Sequence, residues 1–99
     1  MNLNLNPWKL DEKKKHVAKV VTLENSTIVN IQLKENEEIA EHDSSMDVVI
    51  AVRKGSVIFT VEGNEVLVTP ENVLHIAPLE KHSLRAVEDA DILVIQIKP

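Results

Sequence analysis

Residues 42–82 read HDSSMDVVIAVRKGSVIFTVEGNEVLVTPENVLHIAPLEKH, with a histidine at each end and the chain's two glycines, Gly55 and Gly63, in between. Val48, Ile50 and Val52 alternate with Asp47, Val49, Ala51 and Arg53, a period of two that places successive side chains on opposite faces of an extended strand. A helix needs apolar residues three and four apart, and these segments carry no such stripe. The alternation breaks at Lys54-Gly55 and again at Glu62-Gly63-Asn64, where glycine supplies the positive φ of a tight hairpin. Val57, Phe59 and Val61 share one face between those turns. Val66 and Val68 follow, until Thr69-Pro70 stops the ladder because proline has no N–H to give it.

The same period runs outward on both sides. Upstream, Thr27, Val29, Ile31 and Leu33 alternate with Ile28, Asn30, Gln32 and Lys34; downstream, residues 73–76, 83–87 and 92–97 complete a set of eight or nine short strands. Turn signals recur at about eight to twelve residues, the spacing of an antiparallel sandwich or barrel. Residues 1–16 show no sustained periodicity and hold Pro7, so they read as an N-terminal arm anchored by Trp8, with residues 17–99 forming one all-β domain.

Ninety-nine residues suit one compact domain. The residues are 43% apolar, yet Trp8 and Phe59 are the only aromatics, so the core must be built from Val, Ile and Leu. Each of these contributes roughly 1.5–3 kcal/mol when fully buried, and β-branched side chains favour strands. The absence of cysteine removes disulfides and thiolate zinc ligation and points to a cytoplasmic protein. No segment is apolar enough to span a bilayer, so no membrane partner is expected. Sixteen acidic against eleven basic residues, a net charge of −5, argue against nucleic acid as a partner. The run Lys13, Lys14, Lys15 is too short to reverse that and reads as a solvated face.

The spacing around Gly55 and His82 resembles the cupin superfamily, whose small jelly-roll barrels hold a metal between two sheets. That family's first motif runs Gly, five residues, His-x-His, three or four residues, Glu, six residues, Gly. Counted back from Gly55, its positions fall on Asn36, His42, Ser44 and Val48. The second motif, Gly-x5-Pro-x-Gly-x2-His-x3-Asn, overlays Glu71, Ala77, Leu79, His82 and Ala86, with Pro78 one place late. The spacing is kept over residues 36–97, while only His42, Gly55 and His82 match in kind. The resemblance implies a small antiparallel jelly-roll barrel with a short N-terminal arm. It also implies a homodimer, with the arm exchanging contacts with a second subunit; the outward-facing Val49, Ala51, Ile58 and Leu67, which would leave an apolar sheet face exposed on a monomer, point the same way.

A metal site of this family uses three imidazoles and a carboxylate, a set suited to a divalent transition metal. Here His42 and His82 are the metal candidates, Val48 stands where the carboxylate would be, and His75 or Asp47 is the candidate third ligand. Asp47 would need a one-residue bulge to turn inward; His75 would need its ring on the inner face. Ser44 is a candidate hydrogen-bonding group. The depleted ligand set favours a small-molecule binding module with a weak or absent metal site and no firm cofactor, its pocket formed by His42, Ser44, Val48, Ile50, Phe59, His75 and His82. Two other readings stay open: a metal-dependent dioxygenase or isomerase using His42, His82 and a replacement ligand, and a dimeric interaction or regulatory protein.

Overall fold

The computed structural model describes residues 1–11 and 15–99; Lys13 and Lys14 of the basic run lie outside the described residues. Nine strands follow in order: β1 (Lys15–Thr22), β2 (Ser26–Leu33), β3 (Glu38–His42), β4 (Asp47–Lys54), β5 (Val57–Val61), β6 (Asn64–Val68), β7 (Val73–Ile76), β8 (His82–Ala86) and β9 (Ala90–Ile97). They form a five-stranded sheet in the order β1-β2-β9-β4-β7 and a four-stranded sheet in the order β3-β8-β5-β6. Every pairing is antiparallel. From β2 onward the chain passes between the sheets at every connection except the β5–β6 hairpin, which makes the architecture a jelly roll. The first strand starts at Lys15, two residues ahead of the boundary expected at Val17.

The alternation is realised as a shared interior. Ile31, Leu33, Val48, Ile50, Val52, Ala90 and Ile92 from the larger sheet meet Val57, Phe59, Val68, Leu84 and Ala86 from the smaller, all buried. The β5–β6 turn is a two-residue hairpin, closed by the Val61–Asn64 pair, with Glu62 and Gly63 both at positive φ (47° and 81°). Two positive φ values in a row define the turn whose twist matches the flanking strands. Gly55 lies at the β4–β5 crossing with φ of 80°. A Cβ there would stand 2.2 Å from the Asp89 carbonyl oxygen, so the β4–β5 and β8–β9 connections approach too closely at this corner for any side chain.

Residues 6–10 of the arm cover a polar patch on the outer face of the larger sheet. Asn30 and Gln32 alternate with core residues on β2 and so point outward, yet both are fully buried. A register shift between Val52 and Lys54 on β4 brings Arg53 to Asp91, with contacts of 2.7 and 3.1 Å to the two carboxylate oxygens. Asp91 also accepts from the Asn30 amide (2.7 Å) and the Gln32 amide (3.2 Å). The arm completes this network: the Lys9 N–H donates to Gln32 Oε1, Gln32 donates to the Pro7 carbonyl, and Arg53 donates to the Asn6 carbonyl. Leu10 is fully buried, and the Lys54 ammonium lies 4.4 Å from the centre of the Trp8 ring. In the single chain, therefore, the arm expected to reach a second subunit packs on its own barrel. The four expected surface apolar residues also divide, with Val49 and Ala51 on the outer face of the larger sheet and Ile58 and Leu67 on that of the smaller.

Candidate functional site

A cavity of about 630 Å³ opens between the sheets on the side where β1 and β3 form their free edges. Val29, Ile31, Val48, Ile50, Val94 and Gln96 line it from the larger sheet, and Ile39, Phe59, Leu84, His42 and His82 from the smaller. Lys15, Val17 and Lys19 of β1 supply the rim. Their partners on β2 are Leu33, Ile31 and Val29, and directly paired residues share a face, so all three turn toward the interior. The Lys15 ammonium donates to the Glu38 carbonyl of β3 and so ties the two strand edges together.

His42 and His82 are cross-strand partners on β3 and β8, and their rings meet edge to face with centroids 4.3 Å apart. Each ring is held the same way: Nδ1 of His42 lies 2.9 Å from the Ala40 carbonyl, and Nδ1 of His82 lies 2.9 Å from the Glu80 carbonyl. A carbonyl only accepts, so Nδ1 carries the proton and, in the neutral ring, Nε2 is left as an acceptor. His82 is buried, while His42 stands at the exposed mouth.

The other expected residues separate. Val48, Ile50 and Phe59 are buried in the cavity wall. His75 is not in it: on β7 it pairs with Val49 and faces outward, where its Nε2 lies 2.7 Å from Asp47 Oδ1. Leu74 and Ile76 take the inward positions, pairing with Ile50 and Val48. Asp47 is correspondingly turned away from the interior, and no bulge re-aims it, since Asp47 and Val48 pair with Ile97 and Gln96 in unbroken register. Ser44 is also outside the cavity wall. Its hydroxyl accepts from the Met46 N–H at 3.1 Å and its carbonyl from the Leu79 N–H at 2.7 Å, so it serves the loop before β4.

This donor set does not fit the metal site that the fold family implies. His42 and His82 come together, but the two candidate replacements are engaged with one another on the opposite face of the sheet, and Val48 brings an isopropyl group where charge compensation is needed. Among the described residues no group of three His, Cys, Asp or Glu side chains is placed to hold a metal ion. Two neutral imidazoles alone leave the charge of a divalent cation uncompensated in an apolar wall.

Lys15, Val17, Ala18, Lys19, Val29, Ile31, Ile39, Leu84, Val94 and Gln96 also line the cavity and lie outside the expected set. The sequence carries a signal for β1, since Lys15, Val17 and Lys19 alternate with His16, Ala18 and Val20, but the absence of periodicity before Val17 hides its first two residues in the arm.

No family model and no curated protein matches the sequence. Solved structures do match in shape. An RmlC-like cupin from Desulfovibrio desulfuricans is 26% identical, with 98% of this chain and 93% of that one covered and a TM-score of 0.83. An RmlC-like cupin with a double-stranded β-helix fold from Methanocaldococcus jannaschii is 23% identical, with 99% and 93% covered and a TM-score of 0.81. KdgF from Halomonas is 15% identical, with 100% and 96% covered and a TM-score of 0.82. By its all-strand topology and these likenesses, the chain has a cupin-like, double-stranded β-helix fold.

Proposed function

We propose that the protein is a small-molecule binding module whose ligand enters the cavity between the two sheets. One observation carries this reading: about 630 Å³ of mostly apolar space is lined by few polar groups, and two of these, His42 and His82, are fixed in orientation by backbone carbonyls. Binding sites for small molecules have this composition, with apolar walls supplying affinity and a few convergent polar groups supplying orientation. The imidazoles serve as recognition groups, each offering an Nε2 acceptor to a hydroxyl or amine of the ligand.

The module works as a homodimer in this proposal. Ile28, Val49, Ala51, Leu93 and Ile95 make a continuous apolar area on the outer face of the larger sheet, beside the part covered by the arm. An apolar face of that kind is a surface for association.

The binding reading is tested by methyl-resolved NMR of the full chain against a set of small aliphatic and aromatic fragments at millimolar concentration. Methyl signals of Ile39, Ile50, Leu84 and Val94 are expected to shift, and those of Ile58 and Leu67 on the outer surface to stay. A Val94→Phe variant, which fills the cavity, is expected to abolish the shifts while the rest of the spectrum stays folded. Shifts confined to outer-face methyls, or none with any fragment, would overturn the proposal.

A further inference from the structure

We propose that the ligand class of this cavity is an amphipathic monoanion: one carboxylate, or an acid of similar size, on an aliphatic or aromatic body. The inference rests on the binding reading above and names what binds. Space sets the size, because at about 30 Å³ per water-sized group the cavity holds a body of about 10 to 20 non-hydrogen atoms.

Charge sets the sign. The chain carries sixteen acidic residues and a net charge of −5, yet among the described residues no aspartate or glutamate lines the cavity. The charged side chains on its wall are Lys15 and Lys19. The positive rim therefore stands out against a negative molecule and gives an anion a local reason to enter. Lys19 shares the inward face with Val29, which pairs in turn with Val94. Among the described residues its ammonium makes no hydrogen bond or ion pair. Lys15 uses one of three ammonium protons on the Glu38 carbonyl, which fixes its position at the β1–β3 gap and leaves two donors for a ligand.

The geometry also orients the ligand. The β1 lysines and the His42–His82 pair belong to different sheets: Lys19 is level with Val29 and Val94 on the larger, and the Ile39–Leu84–Phe59 row lies beside the histidine pair on the smaller. An anionic head at the lysines places the body over Phe59 and Leu84. The imidazoles are then left to accept from an uncharged donor elsewhere on the ligand.

Three probes of nearly equal length separate the possibilities: octanoate, 1-octanol and octylammonium, titrated into the full chain and followed by the cavity methyl signals. Octanoate is expected to bind about tenfold tighter than octanol, and octylammonium more weakly than either. Added salt should weaken octanoate and leave octanol unchanged. Lys19→Met should remove most of the octanoate preference over octanol, and Lys19→Arg should keep most of it. Lys15→Met provides a second cation deletion on the same strand, with Lys98→Met as a control outside the cavity. Equal affinity for octanoate and octanol, or preference for octylammonium, overturns the charge assignment while leaving the cavity as a binding site. Silence with all three probes and with the neutral fragments defeats the binding reading itself.

Discussion

Gly55 and Gly63 have nearly the same backbone, φ of 80° and 81°, in different surroundings, and this allows one contact to be isolated by one pair of substitutions. Nothing lies within 4 Å of a Cβ built on Gly63, whereas a Cβ on Gly55 would meet the Asp89 carbonyl oxygen at 2.2 Å and the Ala90 Cα at 3.1 Å. Alanine at either position carries the left-handed penalty of about 1–2 kcal/mol, partly offset by about 0.4–1 kcal/mol from a stiffer unfolded chain. Gly63→Ala should therefore cost about 1 kcal/mol. Gly55→Ala adds a collision that no rotamer relieves, because both contacted atoms are backbone and Ala90 is fully buried at the start of β9. Overpacking of this kind costs about 1–3 kcal/mol more. In a domain of this size each kcal/mol moves Tm by about 4–8 °C, so Gly55→Ala should melt at least about 5 °C below Gly63→Ala. Urea and thermal denaturation followed by circular dichroism, with m-values compared to confirm a common unfolded state, measure the difference. Equal losses in the two variants would refute the close approach of the β4–β5 crossing to β9.

Removing the carboxylate under the arm, Asp91→Ala, leaves the buried amides of Asn30 and Gln32 each short of an acceptor and Arg53 without its counter-ion. At about 1–3 kcal/mol per orphaned buried donor, Tm should fall by more than about 10 °C and protease cleavage within residues 1–11 should accelerate; a change under about 2 °C would show that the arm network is not a stabilising unit. Light scattering coupled to size-exclusion chromatography should give a dimer at micromolar protein, and Val49→Lys should give a folded monomer. A wild-type monomer would mean that the outer face of the larger sheet is not an interface.

The barrel was legible because period-two alternation identifies strands and their faces without knowledge of partners. The motif glycine positions make the same point through the backbone. Asn36 and Leu79, at two of the places where the cupin motifs carry glycine, both have φ of 69°, each at a crossing between the sheets. The backbone keeps the turn although the residue type has changed, so spacing carried the fold after the signature had gone. The site was less legible, and His75 shows why. Its face depends on how residues 77–81 turn, and alternation on β7 cannot be phased against β8 through an irregular connection. Once Leu74 and Ile76 take the inner positions, His75 must face outward, and Asp47 meets it there from the adjoining strand.

Alternation assigns a face to each residue but does not say what lies over that face, and β2 makes the distinction physical. Val29 and Ile31 turn inward to the cavity, as their apolar side chains require. Asn30 and Gln32 turn outward, which in a bare sheet means water, yet both are fully buried: Asp91 accepts from both amides and the arm bonds both ends of Gln32, while Asn30 Oδ1 keeps no partner among the described residues. Polarity on the outer face thus recorded a polar neighbour, and the neighbour was the segment that lacked any periodicity of its own. The reverse holds on β1, where Val17 faces the interior and is still 59% exposed because the smaller sheet does not extend over it. The larger sheet has five strands against four, so its surplus edge strand leaves the cavity open on one face, and Val17 stands on that edge.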